Sequence, residues 1–93
     1  MKLFLVHCGF YDQKMSDEKP NIFEGHHNFY VAAKDRHEAK EKAKQKSLYI
    51  AKGMHIDGIH EIDVVDGYQV ILEKTSTAGS VINVTGYDEA EKI

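Results

Sequence analysis

The first third of the chain contains two stretches with the residue pattern of β-strands. Residues 2–8, KLFLVHC, form a near-continuous apolar run, which predicts a strand buried on both faces in the middle of a sheet and ending at Gly9. The polar stretch from Tyr11 to Pro20 predicts a loop. Residues 22–33 carry aromatic and β-branched side chains, so we expect a second strand there, in a hairpin with the first.

One main helix is predicted from Asp35 to Lys52. Asp35 and Glu38 have the spacing of an N-cap residue and its reciprocal partner, and Gly53 is placed as a C-cap glycine. The inward face of this helix is predicted from small and apolar residues at three- and four-residue steps, namely Ala39, Ala43 and Ile50, with Ser47 between them.

After the helix, the pattern predicts a short extended piece from His55 to Gly58 and then three strands. The Asp66-Gly67 pair predicts a tight hairpin turn between the first two strands, since both residues tolerate positive φ values. The predicted segments are strands at 61–65, 68–73 and 81–85, a connector at 75–80 and a frayed tail at 89–93. The resulting order is ββαβββ, an α+β fold with a mostly antiparallel sheet of about five strands and one main helix packed on it.

The two ends of the chain contain a weak internal repeat. Residues 3–10 align with residues 80–87, with apolar residues matched at several positions, glycine with glycine and an aromatic residue with an aromatic residue. If the last strand copies the first, it needs a sheet edge to pair with. A second protomer could provide that edge.

Size and composition favour one small globular domain over residues 1–93. Apolar residues make up 42% of the chain and charged residues 29%. A core this small leaves a thin stability margin, so we expect a homodimer in which residues 75–93 are exchanged or paired. The lone Cys8 excludes an intrachain disulfide, and the N-terminal apolar run is too short for a signal peptide or a bilayer span. We therefore expect a cytoplasmic protein without a membrane partner.

The predicted helix is basic in an acidic chain. Residues 34–52 hold seven Lys or Arg and three acids, whereas the net charge of the whole chain is −3. A basic helix face attracts phosphates, but the chain has no nucleic-acid motif, and Glu38 and Lys42 have the spacing of a favourable intrahelical ion pair. We favour a solvated helix face over nucleic-acid binding. No glycine-rich phosphate loop is present, so no nucleotide cofactor is expected.

Two short motifs supply the candidate chemistry. Glu24 and His26 project to one face of an extended strand, and so do His55 and Asp57, because side chains alternate with period two. If the strands are neighbours, two imidazoles and two carboxylates converge into a ligand set suited to Zn, Mn or Fe(II). The same residues could instead form a hydrogen-bonded polar cluster at the junction of helix and hairpin, a small-ligand site or an acid–base site. No nucleophile is evident, because Cys8 fits a core position.

Three stretches together resemble a bacterial family known as a domain of unknown function, number fifteen forty-three. They are KLFLVHCGF, NIFEGHHNFYVA and HIDGIHEIDVVDGYQVIL, which span most of residues 2–72. Many members resemble a tandem of two modules, and the second module opens much like Val81 to Tyr87 here. The resemblance therefore implies that two chains associate to do what one longer chain does elsewhere. The family has an acid at the position of His27, which argues against a role for that residue, and it implies no reaction.

The function that we expect is that of a binding or interaction module acting as a homodimer. The alternative is a small metal-dependent enzyme using His26, His55, Glu24 and Asp57, with a divalent metal as its cofactor. His7, His27, His37 and His60 are expected to be surface or half-buried side chains.

Overall fold

The computed structural model describes residues 1–12 and 23–93, and its centre is a three-stranded antiparallel sheet. The strand β1 (Lys2–Asp12) lies between β2 (Phe23–Ala33) and β3 (His55–Ile62). The predicted β1–β2 hairpin and the central position of β1 are thus confirmed. Gly9 does not end β1, which continues to Asp12, and the rest of the predicted loop lies outside the described residues.

The helical segment consists of two helices, α1 (Arg36–Lys44) and α2 (Ser47–Lys52), where one was predicted. The start is as predicted, because the Asp35 side chain accepts a hydrogen bond of 2.8 Å from the Glu38 amide. Gly53 ends α2 in the left-handed conformation, at φ 56°. Between the helices, the backbone of Lys46 is extended. This break changes which residues of α2 face the core. Ile50 is therefore exposed, and Tyr49 packs against the core in its place.

The hydrophobic core lies between α1 and one face of the sheet, the covered face. The even-numbered residues Phe4, Val6 and Cys8 of β1 are fully buried there. The other buried members are Phe29, Val31, Ala33, Ala39, Ala43 and Met54. The two alanines let the helix backbone approach the sheet closely, as their spacing predicts.

A β-bulge interrupts the pairing of β3 with β1. His7 pairs with Gly58 and Cys8 pairs with Ile56, so Asp57 is an extra residue without a partner in the ladder. Ile56 and Ile59 both pack against the core although three positions separate them, which strict alternation forbids. The bulge removes this conflict by adding one residue between the two isoleucines.

The predicted five-strand order is not confirmed beyond β3. The Asp66-Gly67 turn is present, with φ values of 52° and 82°, but it joins only β4 (Val64–Val65) and β5 (Tyr68–Gln69). The predicted return strand is short because Tyr68 projects into solvent with no layer to pack on. Residues 81–85 form no strand, since no sheet edge pairs with them among the described residues, and the short helix α3 (Tyr87–Glu91) follows.

The basic residues of α1 are partly paired within the chain. Lys42 donates a hydrogen bond of 2.7 Å to the Ala32 carbonyl oxygen and lies 3.3 Å from Glu38. In the part of the chain that the structure describes, no helix is both long enough and apolar enough to cross a bilayer.

Candidate metal centre

Within residues 1–12 and 23–93, no helix packs on the second face of the sheet, opposite α1, and we term it the open face. It carries the odd-numbered side chains of β1 from Leu3 to Tyr11. Its apolar end, at Leu3, is bordered within the described residues by the segment from Leu72 to Ile82, which lines a groove with Leu3 and Tyr30. Its other end is polar and contains the candidate residues.

The strand register brings the four predicted residues to this polar end. His26 lies opposite Gly9 on one side and His55 lies opposite it on the other. Glu24 is one pleat further along β2, and the bulge presents Asp57 beside His55. The two motifs, Glu-x-His on β2 and His-x-Asp on β3, therefore converge across β1.

Gly9 makes room for this convergence. A Cβ atom at Gly9 would lie 2.7 Å from Asp57 Oδ2 and 2.7 Å from His55 Nε2. Any other residue at this position would push both side chains away from the strand. Gly9 therefore serves the site, and its interior position in β1 is explained by this close approach.

The nitrogen and oxygen atoms of the four side chains lie 3.0–3.7 Å apart, with Asp57 in the middle of the cluster. His55 Nε2 lies 3.0 Å from Asp57 Oδ1 and 3.7 Å from Glu24 Oε1. His26 Nδ1 lies 3.6 Å from Asp57 Oδ2. The two carboxylate oxygens of Asp57 thus face different histidines.

His7 belongs to the same cluster, which the sequence analysis did not anticipate. Its ring stacks on that of His26, with centroids 5.0 Å apart and planes inclined by 11°. Its Nδ1 lies 2.6 Å from Asn28 Oδ1, and since that oxygen only accepts, Nδ1 donates and the lone pair of a neutral ring is on Nε2. Tyr11 flanks the other side of the cluster, with its ring centroid 5.6 Å from that of His55.

The four side chains are partly exposed and make few contacts with the backbone. Glu24, His26, His55 and Asp57 keep between 32% and 48% of their side-chain surface exposed. Within residues 1–12 and 23–93, no hydrogen bond joins any of these four side chains to the backbone. The cluster also lies on the face opposite α1, so it does not fix the packing of the helix.

The remaining histidines and the cysteine lie elsewhere. His27 projects to the covered face, where its ring meets that of Phe29 edge-on, with centroids 4.6 Å apart. His37 is exposed on α1, and His60 lies on the open face beside Leu5 but outside the cluster. Burial raises the pKa of the Cys8 thiol, and the negative charge of Asp57 raises it further. The thiol is therefore protonated and a poor nucleophile.

Two sets of three residues could each hold a cation. The first set is His7, His26 and Asp57, and the second is Glu24, His55 and Asp57, with all donor atoms of a set within 4.8 Å of one another. The first is two imidazoles and one carboxylate, a donor set that binds non-haem Fe(II). Three protein ligands leave coordination positions open on the ion, as catalytic rather than structural metal sites do.

A family model, Domain of Unknown Function (DUF1543), matches residues 21–72, more than half of the 93-residue chain. The chain belongs to the DUF1543 family. The matched range contains Glu24, His26, His55 and Asp57, whereas His7 and Gly9 precede it. No curated protein and no solved structure gives a match to this chain.

Proposed function

We propose that this DUF1543 protein is a divalent-metal-binding module. The centre is the cluster on the open face, with Glu24, His26, His55 and Asp57 as ligands. The bound ion is Zn²⁺, Mn²⁺ or Fe²⁺, since imidazole and carboxylate donors suit these metals. Each set of three donors leaves a position open on its ion for a small-molecule ligand that enters from solvent.

The spacing of the donor atoms is the observation that carries this proposal. Hydrogen bonds from nitrogen to oxygen measure about 2.7–3.2 Å, so the separations of 3.6 Å from His26 to Asp57 and 3.7 Å from His55 to Glu24 are too long for direct bonds. Ligand atoms about 2.0–2.2 Å from one ion lie about 3.3–3.6 Å apart in tetrahedral geometry. Two of the three separations in the cluster therefore lie close to those of donors that share an ion, whereas His55 Nε2 and Asp57 Oδ1, at 3.0 Å, are also within hydrogen-bond distance.

The experiment combines metal analysis with thermal unfolding of the untagged full chain. Elemental analysis of the purified protein should find metal, and adding Zn²⁺, Mn²⁺ or anaerobic Fe²⁺ to chelator-treated protein should raise the Tm. A ligand at about one hundred times its Kd stabilises a protein by about 2.7 kcal/mol, which corresponds to about 10 °C or more for a domain of this size.

Matched variants locate the site. Asp57→Asn and His55→Gln should abolish the rise in Tm, whereas Asp63→Asn and His60→Gln make the same changes on neighbouring positions outside the cluster and should leave it intact. Absence of bound metal together with no rise in Tm for any of the three ions would end the proposal. An equal rise in all four variants would place the binding elsewhere and end it as well.

A second candidate function, association into a homodimer, is supported by the exposed apolar side chains of the C-terminal segment. Val81, Ile82, Val84 and Tyr87 are each at least 70% exposed. The radius of gyration of 16.3 Å exceeds the value of about 12 Å that a compact chain of this length has. We propose that a second copy covers this segment, with residues 81–85 pairing to an edge of the partner's sheet.

Light scattering coupled to size-exclusion chromatography tests the homodimer. The wild-type chain should elute as a dimer, and Val84→Asp should elute as a folded monomer. Ile50→Asp, at an exposed position on α2, is the matched control and should remain dimeric. A wild-type chain that stays monomeric at high protein concentration would rule the homodimer out.

The lone buried Cys8 supports a reducing location, and we propose the cytoplasm.

A further inference from the structure

We infer that the metal centre holds two ions bridged by the carboxylate of Asp57. This inference rests on the proposed metal binding and goes beyond it, because it assigns a second ion and a further ligand, His7. The two sets of donors that could each hold a cation have only Asp57 in common.

The orientation of Asp57 is the first observation in favour. Its Oδ2 faces His26 at 3.6 Å, and its Oδ1 faces His55 at 3.0 Å. A carboxylate that directs each oxygen to a different imidazole is arranged to bridge two ions. Paired ions in protein sites lie about 3.5–4 Å apart, a separation that one carboxylate spans.

The placement of His7 is the second observation. Asn28 accepts a hydrogen bond from Nδ1 and so leaves the lone pair of the neutral ring on Nε2, which is how metal-binding imidazoles are held by a neighbouring acceptor. The stacking of His7 on His26 brings the two rings of the first set side by side.

The third observation is the division of the remaining donors. Both sets share Asp57 of β3. The first set adds His7 from β1 and His26 from β2, and the second set adds Glu24 from β2 and His55 from β3. No donor besides Asp57 is needed twice. Two carboxylates against two divalent ions also leave positive charge at the centre, which favours anionic ligands at the open positions.

Titration calorimetry on the untagged full chain with Mn²⁺ or Zn²⁺ gives the number of ions bound. We expect two ions per chain for the wild type. His7→Ala removes a donor of the first set alone, and Glu24→Gln removes a donor of the second set alone, so each variant should bind one ion. Asp57→Asn should lower the affinity for both ions by at least tenfold. His37→Ala, on the exposed surface of α1, is the control and should bind two.

Electron paramagnetic resonance of the Mn²⁺-loaded protein supplies an independent readout. Two ions bridged by one carboxylate couple magnetically, and the spectrum of the wild type should differ from that of His7→Ala, in which a lone ion gives an uncoupled signal. Circular dichroism shows that each variant is folded.

The possible results distinguish failure of the two-ion centre from failure of metal binding itself. Saturation of the wild type at one ion, with His7→Ala unchanged, overturns the two-ion centre and leaves metal binding in place. Two ions that persist in His7→Ala, or that are lost in His37→Ala, also overturn it, because the second ion then binds elsewhere. No binding at all overturns both.

Discussion

The covered face and the open face of the sheet are built by alternate residues of the same strands, yet they have opposite chemistry. On β1, Phe4, Val6 and Cys8 are fully buried under α1, whereas Leu5 and His7 on the open face are half-buried. A helix layer excludes water and rewards apolar side chains, and an open face leaves polar groups hydrated until a ligand arrives. The fold is therefore held mainly by one face, and the polar end of the other face stays hydrated.

Truncation of neighbouring β1 residues should show the largest difference between the faces. Phe4→Ala should lower the free energy of unfolding by about 3–5 kcal/mol, because it opens a cavity in the core. Leu5→Ala should cost less than about 2 kcal/mol, because Leu5 is half-buried and its loss leaves no closed cavity. Urea unfolding measures both. Equal costs would mean that the open face is covered in solution, as a second copy of the chain would do.

Alanine substitutions at two glycines on opposite faces of the sheet should affect stability and metal affinity separately. A Cβ atom at Gly25 would overlap Cζ of Phe10, whose ring covers that glycine on the side of α1. Gly25→Ala should therefore lower stability by about 1–3 kcal/mol through overpacking and leave metal affinity unchanged. Gly9→Ala should do the reverse, because its Cβ displaces the ends of His55 and Asp57, which can turn into solvent. If Gly9→Ala bound metal as the wild type does, the cluster would not be the site.

The smallest effect is expected from the cap of the helix that makes the covered face. Asp35→Ala removes the acceptor of the Glu38 amide and should lower the free energy of unfolding by about 1 kcal/mol. Asp35→Asn keeps an acceptor and should cost a few tenths of a kcal/mol. Neither variant should change metal affinity, and a change in affinity with either one would show that the two faces are coupled.

The sequence predicted correctly those elements whose geometry depends on a few neighbouring residues. The Asp35 cap, the Gly53 terminus and the Asp66-Gly67 turn are all present, because each depends on contacts within about four residues. The extended conformation of Lys46 and the absence of a strand at 81–85 were not predictable in this way. The absence of a strand at 81–85 reflects the lack of a pairing edge among the described residues, which no local pattern encodes.

For the candidate site too, the local part was predictable from the sequence and the part that depends on strand pairing was not. Alternation placed each of the two motifs on one face of its strand, and this holds in the structure. The presence of His7 and the task of Gly9 follow from the register between β1 and its neighbours. The pairing of β1 with β3 includes the bulge at Asp57, so spacing along the sequence did not reveal them.

The bulge at Asp57 has a consequence for reading other sequences of this kind. A strand that packs two isoleucines three positions apart against one core, as Ile56 and Ile59 do here, has to accommodate an extra residue between them. Deleting that residue would remove the central carboxylate and restore regular alternation, with His55 still on the open face opposite Gly9. An odd spacing between apolar residues in a predicted strand, with an acid enclosed, thus marks in the sequence a bulge that places the acid beside its neighbour on the open face.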